Sequence, residues 1–220
     1  MQRTILCYGD SNTWGYVPQH FTGRNFILSR YSRDKRWPGI LQKILGKNYQ
    51  VIEEGLNGRT TNLDYHIPPD RNGKNYLAPC LYTHAPIDIV VLALGANDFK
   101  AYFNRKAEDI KNGLAELINI IQSSNYGADM QNAPKILIIP PAIPLPIAEQ
   151  FQDENGIAVF NGAIDKAKKL IELYSKLAEE KNCYFLDVSN YISPSEIDGI
   201  HLDENNHEKL ANLVTDKIKM

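Results

Sequence analysis

A short apolar segment that runs into a glycine turn stands close to the start of the chain, TILCYGDSNTWG at residues 4–15. Residues 4–8 favour β-structure, and Gly9 permits a tight turn directly after them. In an open parallel sheet the functional loops follow the carboxyl ends of the strands. Ser11 is therefore predicted to lie at the carboxyl edge of such a sheet, with its hydroxyl and backbone N–H facing a cleft.

Four further apolar segments have the same character, and segments with helical periodicity lie between them. This alternation predicts an α/β fold, a three-layer α/β/α sandwich around a central parallel sheet of about five strands. The predicted strands are residues 4–8, 49–53, 88–94, 135–139 and 183–187, and the predicted helices are residues 38–45, 106–123, 158–181 and 205–219. The 220 residues are expected to form a single domain, residues 1–220.

Three segments show neither pattern, residues 18–35, 65–75 and 140–156. Long irregular segments in a compact domain usually form covers or contact surfaces. Their apolar residues are Phe21, Phe26, Ile27, Ile67, Ile143, Leu145, Ile147 and Phe151. We expect these residues to form a surface that contacts a partner or to pack over a core of their own.

Charge and cysteine content narrow the possible partners and location. With 24 Lys and Arg against 26 Asp and Glu, the net charge is −2, so no positive field attracts nucleic acid or an anionic membrane, and neither is an expected partner. Cys7, Cys80 and Cys183 cannot all pair within one chain, and residues 4–8 are too short for a signal peptide, which favours a cytoplasmic location. Cys80 with His84 is a weak metal candidate because further ligands are lacking.

Ser11 and the pair formed by Asp198 and His201 are candidates for acid–base chemistry. A serine directly after a strand can act as a nucleophile, although Ser11 could equally be a helix N-cap. Asp198 can accept the Nδ1–H of His201 and leave Nε2 able to take a proton from a serine. Such a pair is also common on protein surfaces.

Two other strand ends carry candidate hydrogen-bond donors. Gly55 and Gly58 flank the exit of the second strand, where backbone N–H groups could face a developing oxyanion. Asn97 follows the third strand and could add a side-chain N–H, although an Asx-turn is the usual role of such a residue. Each feature alone is weak, but four of them in order at four strand exits indicate one catalytic site.

The chain resembles the SGNH hydrolases, also called GDSL-type esterases, through GDS at 9–11, GLNG at 55–58, GAND at 95–98 and DGIH at 198–201. Within that family it is most similar to the arylesterase and acyltransferase branch, through GDSNTWG at 9–15, VIEEGL at 51–56, RTTN at 59–62 and KAYF at 100–103. Two positions depart from the family pattern. Asn12 replaces Leu of the name-giving motif, and Ala96 stands where many members have Thr, so both are expected to affect the pocket lining and to leave the reacting groups intact.

The resemblance implies a flavodoxin-like fold and a role for each residue. Ser11 would be the nucleophile, His201 the base and Asp198 its orienting carboxylate, with oxyanion donors from Ser11, Gly58 and Asn97. It implies a serine esterase for short-chain acyl esters that needs no cofactor and no metal, with water or an alcohol as acyl acceptor. The alternatives are a deacetylase of acetylated sugars and a catalytically silent ligand-binding domain.

The resemblance to an oligomeric branch also implies a restricted entrance to the serine. We expect an apolar channel near Trp14, Tyr16 and Ile200 that admits short acyl chains. An apolar entrance disfavours water relative to a small alcohol. Some acyl transfer to alcohols is therefore expected beside hydrolysis.

Overall fold

Within residues 2–20, 28–64, 69–153 and 155–219, which the computed structural model describes, five parallel strands form one sheet. The strands are β1 (Arg3–Gly9), β2 (Tyr49–Gly55), β3 (Ile89–Ala93), β4 (Lys135–Ile138) and β5 (Tyr184–Phe185). Their spatial order is β2-β1-β3-β4-β5, the order of flavodoxin-like sheets. The predicted α/β class and the parallel sheet are confirmed.

Strand β1 lies inside the sheet and is covered on both faces. Ile5 pairs with Val51 of β2 and with Ile89 of β3. Leu6 belongs to the core on one face of the sheet, and Cys7 belongs to the core on the other. This position explains why β1 is apolar at consecutive positions instead of alternating.

The helices form a layer on each face of the sheet. They are α1 (Ser11–Trp14), α2 (Trp37–Leu45), α3 (Gly73–His84), α4 (Ala107–Gln122), α5 (Pro146–Glu149), α6 (Ala163–Glu180) and α7 (Glu204–Lys219). Helices α2 and α7 supply the core on the Cys7 face, whereas α3, α4 and α6 supply the core on the Leu6 face. The three-layer arrangement is therefore confirmed. In the described part of the chain, every helix is too short or too polar to cross a membrane.

Some element boundaries differ from the sequence-based prediction. Helix α6 begins at Ala163 and not near residue 158, because Gly162 before it adopts a left-handed conformation with φ 74°. Helix α3 was not predicted, since Pro79 stands in its interior and proline is a strong sign against a helix. Strand β5 covers only two residues.

The three segments predicted to be irregular are partly described. Residues 146–149 form α5, so the segment 140–156 contains a short helix. Ile143 and Phe151 pack against the core on the Leu6 face, whereas Ile147 is 40% exposed. Phe21, Phe26, Ile27 and Ile67 lie outside the described residues.

Candidate active site

Ser11 lies at the carboxyl edge of the sheet, as the first residue of helix α1. The Asp10 side chain caps this helix by accepting a hydrogen bond of 3.0 Å from the backbone N–H of Asn12. The turn needs glycine at position 9, because a Cβ there would lie 2.0 Å from the hydroxyl of Thr13. Burial raises the pKa of Asp10 to about 6.

Ser11, His201 and Asp198 form a continuous hydrogen-bonded chain. The distance from Ser11 Oγ to His201 Nε2 is 3.0 Å, and that from His201 Nδ1 to Asp198 Oδ2 is 2.8 Å. A carboxylate accepts the Nδ1–H, so the Nε2 lone pair is available to the serine hydroxyl. The geometry is therefore one in which a serine, a base and an orienting carboxylate can act together.

Asp198 is held by the turn that also carries His201. Its Oδ1 accepts backbone N–H bonds from Ile200 at 3.0 Å and from His201 at 2.9 Å. Gly199 between them has φ 74°, a conformation that favours glycine. Burial alone would raise the pKa of Asp198, but the hydrogen bonds from His201 and Ile200 outweigh burial and lower that pKa below its ordinary value. Asp198 therefore stays ionised beside the imidazole.

Two neighbours hold the imidazole and its loop in place. The ring of Tyr16 lies against the His201 ring, with centroids 4.2 Å apart. The side chain of Asn12 donates from Nδ2 to the Ile200 carbonyl at 3.3 Å and accepts at Oδ1 from the Leu202 N–H at 2.9 Å. Asn12 thus bridges the two segments that carry Ser11 and His201. This role differs from the effect on the pocket lining that the sequence led us to expect.

Gly58 and Asn97 reach the same place from the ends of β2 and β3. Gly58 has φ 81°, so glycine is favoured at this point of the loop. One N–H of the Asn97 amide donates to the Arg59 carbonyl at 3.1 Å. The amide carries a second N–H, and Asn97 lines the same pocket as Ser11 and Gly58. These three residues can present donors to one oxyanion.

A buried carboxylate anchors the loop after Gly58 to the turn that carries Asn97. Asp98 is fully buried and accepts hydrogen bonds from the Thr61 backbone at 3.0 Å, from the Thr61 hydroxyl at 2.6 Å and from Arg105. Burial raises the pKa of Asp98, although these partners oppose the shift. Sequence reasoning singled out neither Thr61 nor Arg105 for this role, because their contact with Asp98 depends on the tertiary fold.

Arg59 connects the loop of Gly58 to the sheet. Its guanidinium donates to the Gly9 carbonyl at 2.9 Å and to the Glu54 carbonyl, and it lies 4.0 Å from the centre of the Tyr8 ring. Its own carbonyl accepts the Asn97 amide. Arg59 therefore links Gly9, at the end of β1, to the side chain of Asn97, which follows β3.

A pocket of about 330 Å³ opens over the Ser11 hydroxyl. Its apolar lining includes Tyr16, Tyr102, Phe151, Phe160 and Ile200, and its polar lining includes Asn57, Lys100 and Asp153. Two of the three expected binding residues, Tyr16 and Ile200, are thus placed at the pocket. Burial lowers the pKa of Lys100 to about 8, while Asp10 and Asp98 act in the opposite direction.

Trp14, the third expected binding residue, is not among the residues that line this pocket. Its carbonyl accepts a hydrogen bond of 2.7 Å from Arg30, whose guanidinium lies 4.7 Å from the centre of the Trp14 ring. The left-handed Gly15 that follows ends the helix and separates Trp14 from Tyr16. The expectation for Trp14 therefore needs correction, because its ring packs against Arg30.

A larger groove of about 650 Å³ lies at the opposite edge of the sheet. It is lined by Arg3, Ile89, Lys135 and Tyr184, which begin or adjoin the amino ends of their strands. Ser11, His201 and Asp198 are not among the residues that line this groove. Functional sites of open parallel sheets lie at the carboxyl edge, so the smaller pocket is the candidate active site.

Comparisons with known proteins show the family to which the chain belongs. The GDSL-like Lipase/Acylhydrolase family model matches residues 7–209. An aryl esterase from M. smegmatis has 37% identity and a TM-score of 0.88, with 99% of this chain and 98% of that chain covered. The carbohydrate acetylesterase Est24 from Sinorhizobium meliloti has 36% identity and a TM-score of 0.89, with 99% of both chains covered. No curated protein matches the chain.

A third similar structure is a putative arylesterase from Agrobacterium tumefaciens, with 33% identity, a TM-score of 0.84 and 99% of both chains covered. The chain therefore belongs to the GDSL-like lipase/acylhydrolase family. It is a carboxylic ester hydrolase with the α/β fold of its SGNH relatives.

Proposed function

We propose that the protein hydrolyses short-chain acyl esters through a covalent acyl-enzyme on Ser11. The observation that carries this proposal is the hydrogen-bonded chain from Ser11 through His201 to Asp198, with distances of 3.0 Å and 2.8 Å. Ser11 and His201 line a pocket of about 330 Å³. A pocket of this size is suited to a small ligand. The whole chain, residues 1–220, acts as one catalytic domain.

In the first half of the reaction, His201 Nε2 takes the hydroxyl proton of Ser11 as Oγ bonds to the ester carbonyl carbon. The carbonyl π electrons move onto the oxygen, which receives N–H donors from Ser11, Gly58 and Asn97. The intermediate collapses, the bond to the leaving oxygen breaks, and His201 gives the proton to the departing alcohol. Ser11 then carries the acyl group.

The second half repeats these steps with water as the nucleophile. His201 takes a proton from water, the hydroxide oxygen bonds to the acyl carbon, and Ser11 Oγ leaves with the proton returned by His201. Asp198 keeps the imidazole in the required tautomer and stabilises its charged form. The products are a carboxylic acid and free enzyme.

The aromatic side chains at the pocket favour an alcohol as a second acceptor of the acyl group, beside water. Tyr102, Phe151 and Phe160 surround the approach to Ser11. An apolar entrance disfavours water relative to a small alcohol, so we propose that some acyl groups pass to alcohols. Product analysis with an aryl acetate and excess benzyl alcohol tests this: benzyl acetate is expected, and free acid as the sole acyl product contradicts acyl transfer.

The second candidate activity is removal of acetyl groups from sugars. It is supported by 36% identity to the carbohydrate acetylesterase Est24 over 99% of both chains. The pocket also contains the polar side chains of Asn57, Lys100 and Asp153, which could contact hydroxyl groups. The same triad would serve, with a sugar as the leaving group.

A substrate panel separates these possibilities. Aryl acetates, longer acyl esters and acetylated sugars are assayed with the wild type, with Ser11→Ala and with the control Ser123→Ala, an exposed serine at the end of α4. We expect activity on aryl acetates that Ser11→Ala lowers by several orders of magnitude and Ser123→Ala leaves unchanged. Activity on sugars alone would favour the second candidate, and equal rates for all three proteins would favour a silent binding domain.

We also propose a cytoplasmic location and a homo-oligomeric assembly. The location is supported by Cys7, Cys80 and Cys183, which are free thiols and suit a reducing compartment. The assembly is supported by Leu28 and Ile147, which are 60% and 40% exposed in the long segments 18–35 and 140–156. The proposed substrates are small-molecule esters, with water or an alcohol as the second substrate.

A further inference from the structure

Three side chains with metal-binding atoms meet on the Leu6 face of the sheet, outside the pocket described above. Glu54 comes from the carboxyl end of β2, and Cys80 and His84 come from the last turns of α3. Their ligand atoms all lie within 4.8 Å of one another. The His84 Nε2 donates to Glu54 Oε1 at 2.8 Å.

The fold supplies what the sequence lacked at this place. Cys80 and His84 are four residues apart, and α3 brings positions i and i+4 to the same side of one helix. Strand β2 then adds Glu54, which is 26 positions before Cys80 in the sequence. Three ligands and one open position make the ligand count of many zinc sites.

We propose that Glu54, Cys80 and His84 bind a zinc ion, with water as the fourth ligand. A thiolate, an imidazole and a carboxylate are all zinc ligands, whereas calcium and magnesium select oxygen ligands. The sulfur of Cys80 is buried, and the side chains of Glu54 and His84 are 19% and 25% exposed. Zinc and its water can therefore enter from the side of the carboxylate and the imidazole.

The distance between the His84 nitrogen and the Glu54 oxygen requires only a small adjustment. Zinc lies about 2.0 to 2.2 Å from nitrogen and oxygen ligands, so tetrahedral coordination places two such ligands about 3.3 Å apart. The present 2.8 Å between His84 Nε2 and Glu54 Oε1 has to open by about 0.5 Å. Both side chains are partly exposed, and a change of this size needs only a slight rotation of each.

Protons and charges also balance. Burial raises the pKa of Cys80 to about 12, and Glu54 acts in the same direction while Arg59 opposes it. Zinc therefore displaces the thiol proton to solvent as the sulfur–zinc bond forms, and His84 binds in its neutral form. The Cys80 thiolate and the Glu54 carboxylate together carry the two negative charges that neutralise Zn²⁺. The interactions of the Arg59 guanidinium do not have to change.

The ion would fasten the end of β2 to α3. The Glu54 carbonyl accepts a hydrogen bond from Arg59, which follows Gly58, one of the proposed oxyanion donors. A metal that binds the folded protein and not the unfolded chain raises the midpoint of thermal unfolding. The role proposed for zinc is stabilisation of this corner of the sheet, and ester hydrolysis by Ser11 does not depend on it.

Cobalt is the probe for the sulfur ligand, since Co²⁺ occupies zinc sites and absorbs strongly in the near ultraviolet when a thiolate binds it. Metal-free full-length protein is titrated with Co²⁺ and then with Zn²⁺, in the wild type, in Cys80→Ser and in the control Cys183→Ser. We expect the absorption band in the wild type and in Cys183→Ser, its loss in Cys80→Ser, and its displacement by one equivalent of Zn²⁺. Absence of the band in the wild type, or its persistence in Cys80→Ser, overturns the proposal.

His84→Gln provides a second test that does not disturb the buried sulfur. Loss of a residue that only orients a metal ligand through a hydrogen bond typically weakens metal binding by about 10- to 100-fold. Loss of His84, which would bind the metal directly, should therefore weaken Zn²⁺ binding at least about tenfold. Circular dichroism checks that the variant is folded, and unchanged Zn²⁺ affinity in the folded variant overturns the proposal, because His84 would then only be hydrogen-bonded to Glu54. Ser11→Ala should bind Zn²⁺ as the wild type does, which separates this site from the proposed esterase activity.

Discussion

The side-chain oxygen of Asn12 accepts a hydrogen bond of 2.9 Å from the backbone N–H of Leu202. The bond joins the turn of Ser11 to the loop of His201, two segments separated by 190 residues. It therefore helps to set the distance of 3.0 Å between Ser11 Oγ and His201 Nε2.

Loss of this bridge should lower the rate of the chemical step. Misplacement of a reacting group by about 1 Å can cost about 10²-fold, so Asn12→Ala is expected to lower kcat by about 10- to 100-fold with a smaller effect on KM. Steady-state kinetics on an aryl acetate measure both constants. The control Asn205→Ala removes an exposed asparagine of α7 and should change neither, and wild-type kcat in Asn12→Ala would show that the bridge is dispensable.

The proposed oxyanion donor gives a different kinetic signature. Asn97→Ala should lower kcat by about 10² to 10³ with KM little changed, because the amide is needed chiefly when negative charge develops on the carbonyl oxygen. The same assay measures the effect. A change confined to KM would instead make Asn97 a residue that binds the ground state.

The carboxylate of the triad is expected to be strongly sensitive to amide substitution. Asp198→Asn keeps the shape but favours the wrong tautomer of His201, and a loss of about 10⁴ in kcat is expected. Asp216→Asn, on the exposed side of α7, is the matched control and should keep wild-type activity. An Asp198→Asn enzyme within about tenfold of the wild type would remove Asp198 from the proposed mechanism.

Stability at acid pH should depend on His207. This residue is fully buried, and its Nδ1 accepts the Trp37 backbone N–H at 3.3 Å. Burial lowers the pKa of His207 to about 4 from its ordinary 6.5. Nearby His201 and Arg36 lower it further, and Asp203 opposes them.

The sign of the effect follows from proton binding. Between pH 6.5 and about 4, the unfolded chain binds a proton at His207 that the folded protein does not bind. The contribution of neutral His207 to the free energy of unfolding is therefore fully present above pH 6.5 and is lost as the pH falls towards 4. The full loss is about 3 kcal/mol. Urea unfolding of the wild type and of His207→Gln from pH 7 to 4 checks this, because the variant should lose less stability on acidification. Parallel losses in the two proteins would contradict it.

Assembly is tested through an exposed apolar residue. If residues 18–35 contribute to a subunit interface, Leu28→Asp should weaken it, because Leu28 is 60% exposed in the described structure and a buried unpaired carboxylate is costly. Light scattering should give at least twice the 24.9 kDa chain mass for the wild type and for the control Ile44→Asp, and a lower mass for Leu28→Asp. A wild-type mass of one chain at micromolar concentration would contradict the homo-oligomer.

Local patterns in the sequence were sufficient to predict the class of fold and to group the residues of the candidate site. Apolar strands separated by amphipathic helices predicted the parallel sheet, since those patterns depend on residues close together in the chain. The sheet then brings its carboxyl ends to one edge, which is why Ser11, Asn97 and His201 could be grouped in advance. Their hydrogen bonds and distances were beyond that reasoning.

Tertiary structure alone decided the contacts between distant segments. Helix α3 contains Pro79, so its local signal was against a helix, and packing on the Leu6 face outweighs that preference. The bridge from Asn12 to Leu202 and the meeting of Glu54 with His84 join residues that no periodic pattern relates. Such contacts follow from strand order, register and helix packing, which exist only after the whole sheet has assembled.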